Sequence, residues 1–466
     1  MNRSQIPINY VPKRYALQEA SDMSVQIKTK DEVFEAIDKY NVRFVRIWFT
    51  DILGVPKSFA INTNELDGAF SEGMGFDGSS IEGFARIHES DMVAKPDPTT
   101  FQLIPWRQQE NAVARMFCDI LNPDGSPYEG DPRHVLKRNL ERIKDKGYRF
   151  LVGPELEFFY FKNEFGTEIL DTGGYFDLTT LDAASDLRRD TILALDAMGI
   201  DVEYSHHEVA PSQHEIDLRY NDALAMADTV MTYKITVKEI ARRYGYHATF
   251  MPKPIFGQNG SGMHVHQSLF QGKKNVMFDA GDPFHLSAEA KCYIAGLLKH
   301  APEITAVTNQ WINSYKRLVP GYEAPVYICW ARRNRSALVR VPMYKPGKEA
   351  ATRVEFRSPD PASNPYLAFS VMLAAGLAGM ANKYELPAPQ EQDIYHMTDA
   401  ERKAAGIGSL PGSLNDAIQL AEKSQLVREA LGEHVFNAFI ANKKAEWDAY
   451  RMNVTQWELD RYLPLL

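Results

Sequence analysis

The stretch Phe150-Leu-Val-Gly-Pro-Glu155-Leu-Glu157-Phe-Phe-Tyr-Phe161 changes chemistry with a period of two. Successive side chains of an extended chain point to opposite faces. Glu155 and Glu157 therefore share one face, and Leu156, Phe158 and Tyr160 cover the other. Such a strand has an apolar back for packing and a carboxylate-bearing front. The pattern returns along the chain. Glu208 follows His206 and His207, and Glu215 and Asp217 share a face a few residues later. Over Gly262–Phe270, His264, His266 and Ser268 oppose Met263, Val265 and Leu269. Over Arg353–Arg357, Arg353, Glu355 and Arg357 oppose Val354 and Phe356.

Each segment alone reads as the solvated face of a half-buried strand. Together they read differently, because solvated strand faces favour Lys, Thr and Ser. Here, apart from Ser268, the facing residues are Glu, His and Arg with one Asp, and no lysine. If these faces converge, the carboxylates cannot all ionise unless cations neutralise them. Carboxylates with one imidazole suit Mg²⁺ or Mn²⁺, whereas zinc more often brings cysteine or several histidines. Two such ions flanked by arginines suit a transferring phosphoryl group. Neither GxxxxGK[ST] nor GxGxxG at a strand-to-helix turn occurs, so no Walker or Rossmann nucleotide site is expected. The loop Asn259-Gly-Ser-Gly-Met-His264 lets backbone approach a ligand closely. The segment Lys316-Arg-Leu-Val-Pro-Gly-Tyr-Glu323-Ala-Pro reads as a mobile flap or as an ordinary surface turn. Arg335 and Arg340 face opposite sides at strand spacing, so only a bend brings both to one ligand.

Around these segments lies an ordinary globular composition, 44% hydrophobic and 24% charged over 466 residues. The net charge of -9 argues against a nucleic-acid binder. Cys118, Cys292 and Cys329 are far apart, which fits a reduced, cytoplasmic setting without a thiolate zinc site. No signal-peptide pattern opens the chain, and the apolar run Leu367–Ala381 is too short to span a bilayer, so it is expected as a buried helix. Residues 1–24 read as an aperiodic extension, with Met23 an alternative start. Thr29 and Glu32 form a capping-box pattern ahead of a helix, and a strand is expected over Val42–Thr50 with Asp51 on the turn after it. The turn formers between Asn122 and Pro132 mark a domain boundary. Beyond it, helices over His134–Lys146 and Leu187–Met198 alternate with strands, and the part after Pro361 is mainly helical.

Six segments in order carry a family resemblance. They are Phe76-Asp-Gly-Ser-Ser, Gly153-Pro-Glu-Leu-Glu157, His206-His-Glu-Val-Ala-Pro, Asn259-Gly-Ser-Gly-Met-His264, Asn313-Ser-Tyr-Lys-Arg-Leu-Val-Pro-Gly-Tyr-Glu-Ala-Pro325 and Arg353-Val-Glu-Phe-Arg357. From about Val25 to the end the chain resembles type I glutamine synthetase. The resemblance implies an α+β fold. A small β-grasp-like domain occupies 25–122, and a catalytic domain over 130–466 holds a curved antiparallel half-barrel sheet flanked by helices. It also implies ATP-dependent ligation of ammonia to the γ-carboxylate of L-glutamate through γ-glutamyl phosphate.

The implied roles fall residue by residue. Glu157, Glu208 and Glu215 match ligands of one divalent cation, and Glu155, His264 and Glu355 those of another. Asn259, Gly260, His264, Arg317, Glu323 and Arg357 match the glutamate site. Glu203, Tyr220, His266, Ser268, Arg335, Arg340 and Arg353 match positions around ATP. Asp51, Tyr175, Glu208 and Glu323 match the ammonium pocket, with Asp51 the base, Glu323 the closing flap residue and Arg335 a catalytic cation. In the family Asp51 comes from a neighbouring subunit of a dodecamer of two hexameric rings. Arg86 resembles a glutamine feedback arginine of the alpha subclass. Tyr395 lies outside the context that the other subclass adenylylates. Some members carry a lysine near ATP at about Ala350, for which Lys345 or Lys348 could substitute. Two rival readings stand beside this one: a γ-glutamyl ligase for methylamine or a polyamine, and a non-enzymatic relative. A nitrogen-regulatory protein is a conceivable partner; a membrane or direct nucleic-acid partner is not expected.

Overall fold

The computed structural model describes residues 27–81, 91–107, 111–178, 182–322 and 324–466. The extension 1–24, Arg86 and Glu323 lie outside the described residues. Helix Lys30–Lys39 starts at Thr29, whose side chain accepts from the Glu32 N–H while Glu32 accepts from the Thr29 N–H, the capping box expected. Strand β1 follows over Val42–Thr50, as the alternation predicts. With β2 (Pro56–Asn62), β3 (Met74–Asp77), β4 (Asp91–Pro96), β5 (Gln102–Leu103) and β6 (Ala112–Leu121) it forms the first sheet, ordered β2-β1-β6-β4-β3 with β5 beside β6. Strands β1 and β6 run parallel. Val45, Ile47 and Phe49 bury in this domain's own core. Trp48, on the other face, packs edge-on to Phe117 in the larger core of the second domain.

The two domains are pinned by charge as well as by apolar burial. Helix Pro132–Lys144 begins two residues before the expected start, because Asp131 caps it and Pro132 suits its first turn. It carries the buried Arg133, which donates to Asp97 at 2.8 Å and Asp119 at 2.6 Å in the first domain, and to Asp228 at 2.9 Å in the second. The Tyr366 hydroxyl donates to Asp228 at 2.6 Å and closes the network. A paired, hydrogen-bonded guanidinium of this kind tolerates burial that an isolated charge does not.

The second sheet begins with β7 (Tyr148–Phe161) and continues with β8 (Val202–His207), β9 (Gln213–Leu218), β10 (Asn221–Asp222), β11 (His247–Thr249), β12 (Met263–Gln271), β13 (Lys274–Asn275), β14 (Tyr327–Ala331), β15 (Ala337–Arg340), β16 (Val354–Phe356) and β17 (Gly408–Ser409). Its path is β17-β14-β15-β16-β12-β7-β9-β8. The pairs are antiparallel as expected, except β14 and β15, which run parallel with an irregular register at one end of the sheet. The registers decide the site. Glu155 stands opposite His264 on one side and Asp217 on the other; Glu157 opposes Glu215; Glu355 opposes His266 and Arg340. The apolar backs of these strands bury Leu156, Phe158, Met263, Val265, Val354 and Phe356. Helix Pro365–Asn382 contains the apolar run expected to be too short for a bilayer. The helix is in fact long and apolar enough to cross one by length and composition, and it is the burial of 67% of it against the fold that makes it the expected buried helix. Among the described residues the remainder after Pro361 is mainly helical, as expected.

Candidate active site

The four alternating faces converge. A cavity of about 300 Å³ is lined by thirteen of the residues assigned above: Glu155, Glu157, Tyr175, Glu208, Glu215, Asn259, Gly260, His264, Arg317, Arg335, Arg340, Glu355 and Arg357. A second cavity of about 270 Å³ is lined by Glu203, Tyr220, His266, Ser268 and Arg353. Glu155 and Tyr204 border both. The residues assigned to ATP are thus divided, with Arg335 and Arg340 in the first cavity and the rest in the second. The bend these arginines require exists. The Asn334 side chain accepts from the Ser336 N–H at 2.9 Å, turning the chain just before β15. Ala350 and Ala351 border the second cavity, whereas Lys345 and Lys348 do not. Tyr322 and Ala324 border the first cavity, so the segment from Lys316 flanks the site rather than a remote surface.

Around Glu155 the charges are compensated. Arg340 donates to Glu355, Arg357 pairs with it at 3.1 Å, and the His264 Nδ1 stands 3.4 Å from Glu155 and 3.7 Å from Glu355. Burial opposes ionisation, but His266, Arg357, His264 and Arg340 outweigh it and hold Glu355 below the usual carboxylate range. Glu155, His266 and Glu355 can also bring one ligand atom each within 4.8 Å of one another. Hydrogen bonding separates the two histidines. The Arg353 Nε donates to the His266 Nδ1, so the His266 Nε2 carries the hydrogen and donates it to Glu155 at 2.7 Å. His266 is thus hydrogen-bonded at both ring nitrogens, to Arg353 and Glu155, whereas the His264 Nδ1 stands 3.4 Å from Glu155.

Around Glu157 the charges are not compensated. Its Oε2 accepts from the Gln213 side chain and the Gly262 N–H, both at 2.9 Å. Burial and then Glu208 push its carboxyl up to about 8. Glu215 is raised well above its ordinary value by burial and by Asp217, Glu157 and Glu208. His206, which carried no role in the sequence reading, joins here, its Nε2 being 3.1 Å from Glu215 and its Nδ1 3.6 Å from Glu208. Period two alone puts His206 and Glu208 on one face, so the signal was present. Hard carboxylate donors with unrelieved charge are the chemistry a divalent cation fits.

This charge imbalance has a measurable sign. In the metal-free chain Glu157 keeps a proton to about pH 8, while the unfolded group titrates near 4.5. Its contribution to stability is complete below the lower value and disappears as pH rises to the upper one. Without metal, the melting temperature is expected to fall between about pH 5 and about pH 8, and Mg²⁺ or Mn²⁺ should flatten that slope. A metal-free melting profile that stays level across this window would contradict the assignment.

The loops that line the first cavity are held from behind. Arg317 is buried and donates through its Nη1 to the Ser358 carbonyl at 2.7 Å. A methyl group at Gly260 would lie 2.3 Å from the Pro252 carbonyl oxygen and 3.0 Å from the Arg317 side chain, so only glycine lets this loop lie so close. Tyr175 is 45% exposed at the cavity, with the Arg335 guanidinium 5.7 Å from its ring centre.

Comparison with known proteins decides the family. The model described as glutamine synthetase, catalytic domain matches residues 129–462, and the model described as glutamine synthetase, beta-Grasp domain matches residues 41–123. The chain belongs to the glutamine synthetase family. Glutamine synthetase of Methanosarcina mazei is 54% identical over 449 residues, covering 95% of this chain and 100% of that one. That of Thermotoga maritima is 52% identical over 441 residues, covering 94% and 100%. The solved structure of Plasmodium falciparum glutamine synthetase superimposes with a TM-score of 0.84 at 28% identity, covering 94% of this chain and 100% of that one. A GmaS–ADP complex gives 0.84 at 30% identity, covering 92% and 99%. The expected α+β architecture, a β-grasp domain and a curved half-barrel sheet flanked by helices, is that of the glutamine synthetase structures.

Within this glutamine synthetase fold Asp51 borders neither cavity. It is 2% exposed, at the end of β1. Its carboxylate accepts from the Val55 N–H at 2.8 Å and lies 3.4 Å from Lys57, while burial raises its pKa. The Asn364 side chain donates to the Asp51 and Ile52 carbonyls, each at 3.1 Å, and Gln310 donates to the Leu53 carbonyl at 2.6 Å. The turn is thus bolted to its own catalytic domain.

Proposed function

We propose that the chain makes glutamine in two steps at the first cavity, with ATP entering through the second. The observation that carries this reading is the meeting of the two cavities at Glu155, between an uncompensated carboxylate set and the cavity-lining guanidinium groups of Arg317, Arg335, Arg340 and Arg357. Arg317 and Arg357, with Asn259, Gly260, His264 and Glu323, hold L-glutamate. Glu203, Tyr220, His266, Ser268 and Arg353 hold the nucleotide so that its γ-phosphate points toward Arg335 and Arg340. Glu157, Glu208 and Glu215 would hold one divalent cation and Glu155, His264 and Glu355 another, Mg²⁺ or Mn²⁺, and these would supply neutralisation of the phosphate charge.

A carboxylate is a poor electrophile. Its γ-oxygen therefore takes the γ-phosphoryl group and ADP leaves, while Arg335 and Arg340 stabilise the charge in flight. Ammonium binds among Asp51, Tyr175, Glu208 and Glu323, and gives one proton to Asp51. The freed lone pair attacks the acyl carbon, the C–O bond to phosphate breaks, and the nitrogen's surplus proton passes to the departing phosphate, so that glutamine and hydrogen phosphate result. Glu323 closes over the acyl phosphate and keeps water out.

The finer readings belong to the same proposal. Domains span 25–122 and 130–466, after the extension 1–24. Asp51 serves a neighbouring subunit in a cytoplasmic dodecamer, and Arg86 senses glutamine as in the alpha subclass. Tyr395 escapes adenylylation; its hydroxyl donates to the Ala324 carbonyl at 2.8 Å, which supports a packing role. The test is ATP hydrolysis with glutamate and a panel of amines, with product identification. Ammonium should stimulate ADP release and yield glutamine; stimulation by methylamine or a polyamine but not by ammonium would overturn the reading.

A further inference from the structure

Behind the first cavity, His207 ties together two groups assigned to the ammonium pocket. Its Nδ1–H donates to the main-chain carbonyl of Glu208 at 2.7 Å, and its Nε2 meets the Asp171 carboxylate at 2.8 Å. Its own carbonyl accepts from the Phe176 N–H at 3.1 Å. Asp171 and Phe176 bracket Gly173, Gly174 and Tyr175, so one residue grips both ends of the loop that carries Tyr175. The middle is gripped by contact, because a methyl group at Gly173 would sit 2.7 Å from the His207 ring. The Asp171 carboxylate also accepts from the Ser212 N–H at 3.0 Å, and His207 is 1% exposed. The hold keeps Phe176 at a φ of 61°, which a bulky side chain adopts only under constraint, with its ring stacked 4.3 Å from His206.

Asp171, His207 and His214 bring one ligand atom each within 4.8 Å of one another, but their hydrogen bonds oppose a metal. Arg188 donates to the His214 Nδ1 at 2.8 Å, so the His214 Nε2 keeps its hydrogen, and the His207 Nδ1 is already a donor. The cluster has the form of a strut.

We propose that His207, seated on Asp171 and Gly173, is a positioning residue that fixes the separation of Tyr175 from Glu208 and thereby sizes the amine pocket for ammonium against larger amines. This rests on the ammonium pocket proposed above. The strut acts through the Tyr175 loop and touches no substrate itself. Loosening it widens the gap on the side where an added methyl group would have to fit.

The test compares kcat/KM for methylamine with that for ammonium in full-length wild type, His207→Ala, Gly173→Ala, Asp171→Ala and Asp171→Asn, all with Mg²⁺. The ratio is expected to rise about tenfold in the first three variants, the lower end of what one methyl group is worth in a shaped pocket. Asp171→Asn should keep the wild-type ratio, because its amide oxygen still accepts from His207 and Ser212. The KM for glutamate should change by less than about twofold in all of them. Ammonium and methylamine parameters that fall together, with no change in ratio, would overturn the proposal, as would equal effects of Asp171→Ala and Asp171→Asn. Should His207→Ala fail to fold, the Gly173 variant and the Asp171 pair decide alone. Wild-type enzyme that ignores ammonium would refute the pocket itself, a distinct result.

Discussion

Replacing Glu355 by glutamine is expected to lower kcat by about 10³-fold, because a lost cation contribution of several kcal/mol converts at about tenfold per 1.4 kcal/mol. Glu355 is 1% exposed, opposes both His266 and Arg340 in register, and pairs with Arg340 and Arg357. Glutamine keeps the volume and the backbone pairing of β16 while removing the charge that orients two arginines and meets His264. Steady-state rates at saturating glutamate and ATP, with a Mg²⁺ titration, read the effect. Activity within about tenfold of wild type would remove Glu355 from the reaction centre.

Asp51→Asn is expected to lower kcat/KM for ammonium by about 10²–10⁴-fold, the range over which a positioned base contributes. The amide still accepts from the Val55 N–H, so the turn keeps its form, but it cannot take a proton. The larger consequence appears on mixing. If Asp51 serves the next subunit, co-assembly of Asp51→Asn with Glu355→Gln restores sites that draw Asp51 from one chain and Glu355 from the other. Random assembly restores about a quarter of them. If Asp51 acts in its own chain, mixing restores nothing, since every chain carries one lesion.

Strand chemistry was legible because a period of two is rigid. Once Glu155 and Glu157 face one way, so do Glu215 with Asp217 and Arg353 with Glu355 and Arg357, and the sheet brings them together. The capping box at Thr29 and the buried helix at Pro365–Asn382 were legible for the same reason, each being a local pattern with a local cause. The strut was not. Asp171 and Gly173 lie in a loop without periodicity, and nothing in the string places them against His207 across more than thirty residues. Nor could spacing tell His264 from His266, because both face the cluster; only the hydrogen bond from Arg353 separates them. The network of Arg133 was equally silent, since its partners Asp97, Asp119 and Asp228 meet only after two domains dock.

The registers of the second sheet carry a last consequence. The candidate ligands sit on β7, β8, β9, β12 and β16, or at the immediate end of one of them, and each depends on which residue its strand presents to its neighbour. A slip of one residue in β16 would turn Glu355 away and present Val354 or Phe356 in its place. A mispaired sheet would therefore find no cation, and only the correct pairing would be rewarded with one. The ions would act as proofreaders of the fold, selecting among strand alignments during folding before they take any part in catalysis.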